Sequence, residues 1–184
     1  MLASGSPRRR ELLAEMGVEF DIATKPGISE DYPDDLSAKD VAEFIARKKA
    51  LAYVADLKDP DVLITADTVV VVDKQILGKP KDEADARKML KELSGRTHKV
   101  ITGVAIATVK GVESFSVKTK VTFRTLTPEI IDYYVDNFHP LDKAGAYGIQ
   151  EWIGLVGIDY IEGSYQNVMG LPTQRLYAEL ASMN

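Results

Sequence analysis

Three consecutive arginines occur where a helix is expected to begin, and they are the clearest chemical signal in the sequence. Ser6 is a good N-cap and Pro7 suits the first helical position, so the arginines at 8–10 fall in the first turn. Cations are unfavourable there because a helix N-terminus already carries partial positive charge. A bound phosphate would make cations favourable at this position. The alternative interpretation is a basic turn that is simply exposed to solvent. The donors of such a phosphate cradle would be Ser4, Gly5, Ser6, Arg8 and Arg9.

An acidic residue, Asp67, interrupts an apolar run over 62–73 that is typical of a buried strand. A buried carboxylate is unfavourable unless it is paired or bound to a metal. An acid at this position departs from the preference of a buried strand for apolar residues, and such departures are often found at functional sites. Two explanations stay open. Either a bulge presents Asp67 into a cleft, or the residue marks a break between two short strands and is satisfied by backbone N–H groups.

Three further charged residues are unremarkable one by one. Glu30 lies in a polar loop, Lys49 in a basic run on the second predicted helix, and Lys79 in a turn before Pro80. A nucleoside triphosphate, however, is strongly anionic, and its hydrolysis needs cations on the phosphates and a carboxylate that holds a metal or water. The residues that would supply both are Arg8, Arg9, Glu30, Lys49, Asp67 and Lys79.

Composition limits the remaining function classes. The 184 residues are 45% apolar and 28% charged, which predicts one globular domain over 1–184. The net charge of -5 argues against binding to a nucleic acid polymer. Cysteine is absent, which excludes disulfides and cysteine-based zinc sites. His98 and His139 are interpreted as structural or surface residues, so a metal would be a hard cation on carboxylates.

No targeting or membrane segment is apparent. The N-terminal residues lack the apolar stretch of a signal peptide, and no apolar run approaches the roughly 20 residues that span a bilayer. We therefore expect a cytoplasmic protein without a membrane partner.

The order of predicted elements indicates an α/β or α+β sheet protein. Helices are expected over 7–17, 37–57 (capped by Ser37), 82–93 and 127–137, and after Pro172 with Leu176, Tyr177 and Leu180 facing inward. Strands are expected over 18–24, 62–73, 99–109, 114–126 and 153–162, with a hairpin at Lys110-Gly111.

Seven segments, taken in order, resemble the Maf family of nucleotide pyrophosphatases. They are residues 2–9, 46–50, 66–70, 77–80, 93–98, 142–150 and 163–172. Each segment is weak by itself, but the ordered set is highly specific and runs across nearly the whole chain. Members usually carry several strand residues before the first motif. Only three residues precede Ser4, so either the first strand is short or the chain starts further upstream.

The resemblance implies a Maf/ITPase-like α/β fold, in which helices flank an elongated, twisted mixed sheet and two lobes enclose a central cleft. It also implies cleavage of a nucleoside triphosphate between its α and β phosphates with Mg²⁺ or Mn²⁺. Glu30 would lie on the metal side, and Asp67 would accept the proton of the attacking water beside the metal. Phosphate binding would fall to Ser4, Arg8, Arg9, Lys49 and Lys79.

The resemblance extends to one subgroup. Arg9, Thr68 and Gln150 match the signature of members that prefer dTTP and UTP. A glutamine amide can pair with the O4 and N3–H edge of such a base, which gives the preference a physical basis. The family resemblance is also compatible with a homodimer.

Three functions follow as hypotheses. The first is a dTTP/UTP pyrophosphatase, with modified pyrimidine nucleotides as further substrates. The second is a related pyrophosphatase for a modified purine nucleotide. The third is a non-catalytic regulator of cell division, which the full complement of polar site residues disfavours.

Overall fold

The computed structural model describes residues 1–183 and has an α/β architecture. Its helices are α1 (Pro7–Glu15), α2 (Val41–Leu51), α3 (Glu83–Leu93), α4 (Pro128–Phe138), α5 (Trp152–Gly157), α6 (Tyr165–Met169) and α7 (Thr173–Ser182). Its strands are β1 (Leu63–Val72), β2 (Gln75–Leu77), β3 (Thr97–Thr108), β4 (Gly111–Phe123) and β5 (Ile158–Glu162). Short 3-10 turns cover Val54–Asp56 and Ala144–Ala146.

The strands form one five-stranded sheet in the order β2-β1-β3-β4-β5. The β1–β2 pair is antiparallel and places Val70 opposite Leu77. The β4–β5 pair is also antiparallel, with Val121 opposite Ile161 and a register shift next to Phe123. The predicted α/β class and the hairpin that joins β3 to β4 are therefore confirmed.

By contacts the chain divides into two compact units, in agreement with the two lobes expected. The first unit comprises residues 1–68 and 102–117 together with the segment from Gly170 onward. The second comprises residues 69–101 and 118–169. Within residues 1–183, no helix has the length and apolar character needed to cross a membrane.

Close packing of α2 on β3 builds the core of the first unit. Gly103 makes this possible, because a Cβ at that position would lie 2.3 Å from the Ala42 carbonyl carbon and the Glu43 nitrogen. Beside this contact the buried Thr65 hydroxyl donates to the Ala46 carbonyl over 2.7 Å and so joins β1 to α2. Helix α2 and strand β1, which carry Lys49 and Asp67, are thus held against each other beside β3.

The core of the second unit contains a buried histidine. His98 is 1% exposed, and its Nε2 lies 2.6 Å from the Tyr147 hydroxyl. The Phe123 ring packs against both rings, with centroids 5.4 Å from His98 and 4.9 Å from Tyr147. His139, by contrast, is exposed and ends α4 in a left-handed conformation.

Several predicted element boundaries are wrong. The second helix starts at Val41 after Asp40, and Ser37 instead accepts the Asp40 amide over 2.8 Å in the preceding turn. The expected strand over 18–24 is reduced to one bridge between Leu2 and Ile22. The expected strand over 153–162 begins as helix α5, because a short apolar run cannot be assigned to helix or strand by periodicity.

Smaller elements of the second unit and the last helix also differ from expectation. Strand β2 and helix α6 were not predicted, since three and five residues carry too little pattern to be recognised. In α7, Leu176 is buried as expected, whereas Tyr177 is 63% exposed. The tyrosine lies one residue further along the helix and therefore points about 100° away from the core-facing side.

The buried histidine makes stability depend on pH in a defined direction. Burial lowers the pKa of His98 from 6.5 to about 4, because the charged imidazolium would lose its hydration. Below pH 6.5 the unfolded chain binds a proton that the folded chain does not, so stability falls as the pH drops from 6.5 to 4 and is unaffected above 6.5. We expect this group to contribute a loss of about 3 kcal/mol in urea unfolding.

Two variants isolate that contribution. His98→Phe should lack the loss of stability between pH 6.5 and 4 that His98 causes. His139→Gln, which alters the exposed histidine, should retain that loss. Surface carboxylates titrate in the same way in all three proteins, so their effect on the free energy of unfolding cancels when the pH profiles are compared. Parallel pH profiles for wild type and His98→Phe would show that His98 is not the responsible group.

Candidate active site

The Arg9 guanidinium is fixed at three of its nitrogens within the first unit. Nε donates to the Gly170 carbonyl over 2.8 Å, Nη2 to the Thr68 hydroxyl over 3.0 Å and Nη1 to the Ser4 hydroxyl over 3.4 Å. These partners come from three distant parts of the chain, so the arginine can be in place only when the unit is folded. Three of the predicted substrate-binding residues thereby meet in one network.

The start of α1 explains how Ser4 reaches this network. Ser6 occupies the N-cap position and Pro7 the first turn, as predicted, but the Ser6 side chain makes no capping hydrogen bond. The Ser6 amide instead donates to the Ser4 hydroxyl over 3.2 Å. Leu2 bridges to both Ile22 and Ile64, which anchors the residues before Ser4 as a very short strand. The predicted cap is therefore correct in position and wrong in its side-chain contact.

Two residues of the network were not predicted from the sequence. The Thr102 hydroxyl lies 2.9 Å from that of Thr68, and Thr102 is fully buried on β3. A threonine within an apolar strand was the available signal. Gly170 has a φ of +117°, which L side chains rarely adopt, and this conformation presents its carbonyl to Arg9. A backbone acceptor of this kind leaves no mark in the sequence other than the glycine.

The second cluster of the first unit joins one lysine to two carboxylates. Lys49, in the last turn of α2, places Nζ 2.8 Å from Oδ1 of Asp67 and 2.7 Å from Oε1 of Glu30. The side chains of Lys49 and Asp67 are 16% and 14% exposed, whereas that of Glu30 is 54% exposed. Strand β1 is continuous through Asp67, so the explanation by a break between two strands is wrong. The carboxylate is satisfied by an ammonium group rather than by the backbone.

The two clusters act on each other electrostatically. Burial lowers the pKa of Arg9, the Asp67 and Glu30 carboxylates oppose that shift, and the neighbouring Arg8 adds to it. Arg8 lies in the first turn of α1 and is half-buried. The guanidinium keeps its proton at neutral pH because arginine starts from a pKa far above 7. A partly desolvated cation next to acidic side chains is therefore present in the folded unit.

The remaining predicted residues, Lys79 and Gln150, belong to the second unit. Both are exposed, and Lys79 makes no hydrogen bond or ion pair with any residue from 1 to 183. The turn that carries Lys79 is tied to the loop before Gln150, because the Gly145 amide donates to the Gly78 carbonyl over 3.0 Å. These two residues are thus brought into neighbouring loops of one unit.

The acidic residues fit a hard divalent cation that is shared with a substrate. Among residues 1–183 no group of three or more histidines and carboxylates could enclose a metal. Glu30 and Asp67 nevertheless both contact one nitrogen, so their oxygens are no farther apart than the sum of those two distances. Magnesium is commonly held by one or two carboxylates together with substrate phosphates and water. Two carboxylates are therefore sufficient for this kind of site.

Comparison with known proteins agrees with these observations. A family model described as Maf-like protein matches residues 1–183. A Phocaeicola vulgatus protein named dTTP/UTP pyrophosphatase is 54% identical over 183 residues, which cover 100% of this chain and 95% of that protein. A Bacteroides thetaiotaomicron protein of the same name is 48% identical with the same coverage.

One solved structure supports the fold. The Staphylococcus aureus Ham1 protein aligns over 100% of this chain and 98% of its own, with a TM-score of 0.50 and 15% identity. At that identity the likeness concerns the architecture alone. It confirms the fold class that the sequence predicts.

A valine at position 102 tests whether the Thr68–Thr102 contact stabilises the site. Thr102→Val keeps the side-chain shape but removes a buried hydroxyl, so we expect the free energy of unfolding to fall by about 1 kcal/mol in urea titration. Thr122→Val is the matched control, because its hydroxyl pairs with that of the exposed Thr97 over 2.8 Å and water can replace it. Equal losses in the two variants would show that burial of the Thr68 contact adds nothing.

Proposed function

The chain belongs to the family of Maf-like proteins, and we propose that it hydrolyses dTTP and UTP to the nucleoside monophosphate and pyrophosphate. The observation that carries this proposal is the pairing of a fixed guanidinium, Arg9, with an adjacent ammonium–carboxylate cluster at Lys49. Such an arrangement offers cations to phosphates and acids to a metal or water. The names of the two bacterial relatives support the choice of nucleotides.

In the proposal the polyphosphate is bound by the cations of the first helix and of α2. Arg8 and Arg9 follow directly on the helix start, where backbone amides also favour an anion. Lys49 has three ammonium hydrogens, of which two are directed to Asp67 and Glu30, so one remains for a phosphate oxygen. Lys79, which is exposed and without a partner among residues 1–183, is proposed as a further phosphate-binding residue by family resemblance.

We assign the divalent cation, Mg²⁺ or Mn²⁺, to Glu30 and Asp67. When bound, such an ion neutralises phosphate oxygens as a Lewis acid. Glu30 is the more exposed of the two acids, whereas Asp67 is held on strand β1. Lys49 keeps the two carboxylates close to each other in the free protein, so the ion meets a preformed pair of oxygens.

Asp67 is proposed as the proton acceptor. Its Oδ1 is engaged by Lys49, while its Oδ2 has no hydrogen-bond partner among residues 1–183 and is available to water. In the reaction a water oxygen bonds to the α-phosphorus while the bond from that phosphorus to the bridging oxygen breaks. Asp67 takes the proton of the water, and pyrophosphate leaves with the electron pair of the broken bond.

Base selection is assigned to Gln150. The Thr68 hydroxyl is already shared by Arg9 and Thr102, so its contribution is to hold Arg9 rather than to contact a base. Gln150 is exposed, and its amide offers both a donor and an acceptor to the O4 and N3–H edge of thymine or uracil. Among the three signature residues it alone has this free pair of groups.

A nucleotide panel tests the proposed function. Pyrophosphate release should be measured for dTTP, UTP, dCTP, dATP and dGTP at equal concentration, with and without Mg²⁺. We expect the highest kcat/KM for dTTP and UTP and no release when the metal is removed. A preference for a purine nucleotide would replace the pyrimidine assignment, and the absence of release from every nucleotide would refute a pyrophosphatase.

Replacement of the proposed base tests the mechanism. Asp67→Asn keeps the shape of the side chain but cannot accept the proton, so kcat should fall by about 100-fold or more, with dTTP binding retained. Asp159→Asn is the control, because Asp159 is an exposed acid on β5 and belongs to the second unit. Normal turnover by Asp67→Asn would show that another group activates the water.

A further inference from the structure

A buried polar network holds the loop that carries Gln150. The Glu151 carboxylate accepts from Nζ of Lys143 over 3.0 Å and from the Tyr134 hydroxyl. Lys143 is only 8% exposed and Tyr134 is fully buried. Ionic groups that are withdrawn from water to this extent persist only where their partners are well placed. The network therefore fixes Glu151, the residue directly after Gln150.

One oxygen ties both sides of the loop to α4. The Tyr134 hydroxyl donates to Glu151 and accepts the Gly148 amide over 3.0 Å, so it bonds on either side of Gln150. Burial raises the pKa of Tyr134, which keeps the hydroxyl protonated and able to donate. The ring stacks on Phe138 with centroids 5.2 Å apart, so the hydroxyl itself is rigidly placed.

Packing beneath Gln150 adds a second restraint. A Cβ on Gly148 would lie 2.9 Å from Cε of Lys143 and 3.2 Å from Nε2 of Gln150. The glutamine amide thus lies beside Gly148 next to the stem of the ion-paired lysine. Any side chain at 148 would displace one or the other.

We propose that Tyr134, acting through Glu151 and Gly148, is the positioning residue that lets Gln150 select uracil and thymine over cytosine. The inference rests on the proposed function and goes beyond it by naming what makes the selection possible. Uracil presents O4 and N3–H, whereas cytosine presents an amino group and an N3 lone pair. A glutamine amide could pair with either base if it rotated by about 180° and exchanged its donor and acceptor. Selection therefore requires that the loop hold the amide in one orientation.

Substitution of the hydroxyl tests the proposal. Tyr134→Phe removes both hydrogen bonds while keeping the ring, and the ratio of kcat/KM for UTP to that for CTP should fall about tenfold. The change should lie in KM for UTP, with kcat little altered, because the residue does not touch the phosphates. Tyr133→Phe is the matched control on the same helix, since Tyr133 is 50% exposed and its hydroxyl makes no hydrogen bond with residues 1–183. Its ratio should stay at the wild-type value.

A second variant protects the test against a folding defect. Gly148→Ala keeps Tyr134, Glu151 and Lys143 but crowds the Lys143 and Gln150 side chains, so it should lower the same ratio. A folded Tyr134→Phe or Gly148→Ala protein with an unchanged UTP to CTP ratio would overturn the proposal. A lower melting temperature with an unchanged ratio would likewise assign the network to stability alone.

Binding separates this inference from the proposed function. The α,β-methylene analogues of UTP and CTP cannot be cleaved, and their dissociation constants report base selection without hydrolysis. If wild type binds the UTP analogue more tightly but releases no pyrophosphate from UTP, the proposed function fails while the loss of selectivity in Tyr134→Phe still supports the inference. If UTP is cleaved and the analogues are bound without preference, the inference fails and the proposed function stands.

Discussion

Fixation of a partly buried guanidinium is the interaction on which the first unit depends. Arg9 sits in a helix start that already disfavours cations, and its burial disfavours the charge further. The Gly170 carbonyl and the Ser4 and Thr68 hydroxyls each take one of its hydrogens, which confines the group to a single geometry. In the proposed function, a phosphate would meet a donor that needs no reordering, at some cost in local stability.

The ammonium of Lys49 has a complementary role. It contacts Asp67 within a continuous strand and keeps Glu30 beside it, even though Glu30 comes from an exposed loop. Without that cation the two neighbouring carboxylates would repel each other. In the proposed function, the same pair of acids would hold the divalent ion together with the nucleotide.

Residues that depart from local preference could be predicted from the sequence, whereas the contacts that position them could not. Arginines at a helix start and an acid within an apolar strand are anomalies of local preference, and such anomalies can be read from single residues. The partners that fix them are contacts between distant segments, such as the Gly170 carbonyl or Thr102, and no local pattern reports them. Only the family resemblance predicted that these distant segments contribute to one site, because their spacing in the sequence does not indicate it.

Secondary structure was predictable where patterns are long. Strands β1, β3 and β4 and helices α3 and α4 follow the expected ranges closely, because each repeats its apolar period several times. Helix α5 was taken for a strand, since six apolar and glycine residues fit both periods. The Tyr134–Glu151–Lys143 network escaped the sequence for another reason: its members are ordinary surface residue types, and only the fold buries them.

The central claim is that the fixed Arg9 guanidinium binds the polyphosphate. Equilibrium binding of dTTP and of thymidine to wild type and to Arg9→Lys tests this claim most directly. Lysine keeps the positive charge but lacks the planar set of N–H donors of a guanidinium. The account predicts that the dissociation constant for dTTP rises about tenfold or more while that for thymidine is unchanged. Equal affinity of wild type and Arg9→Lys for dTTP would contradict it.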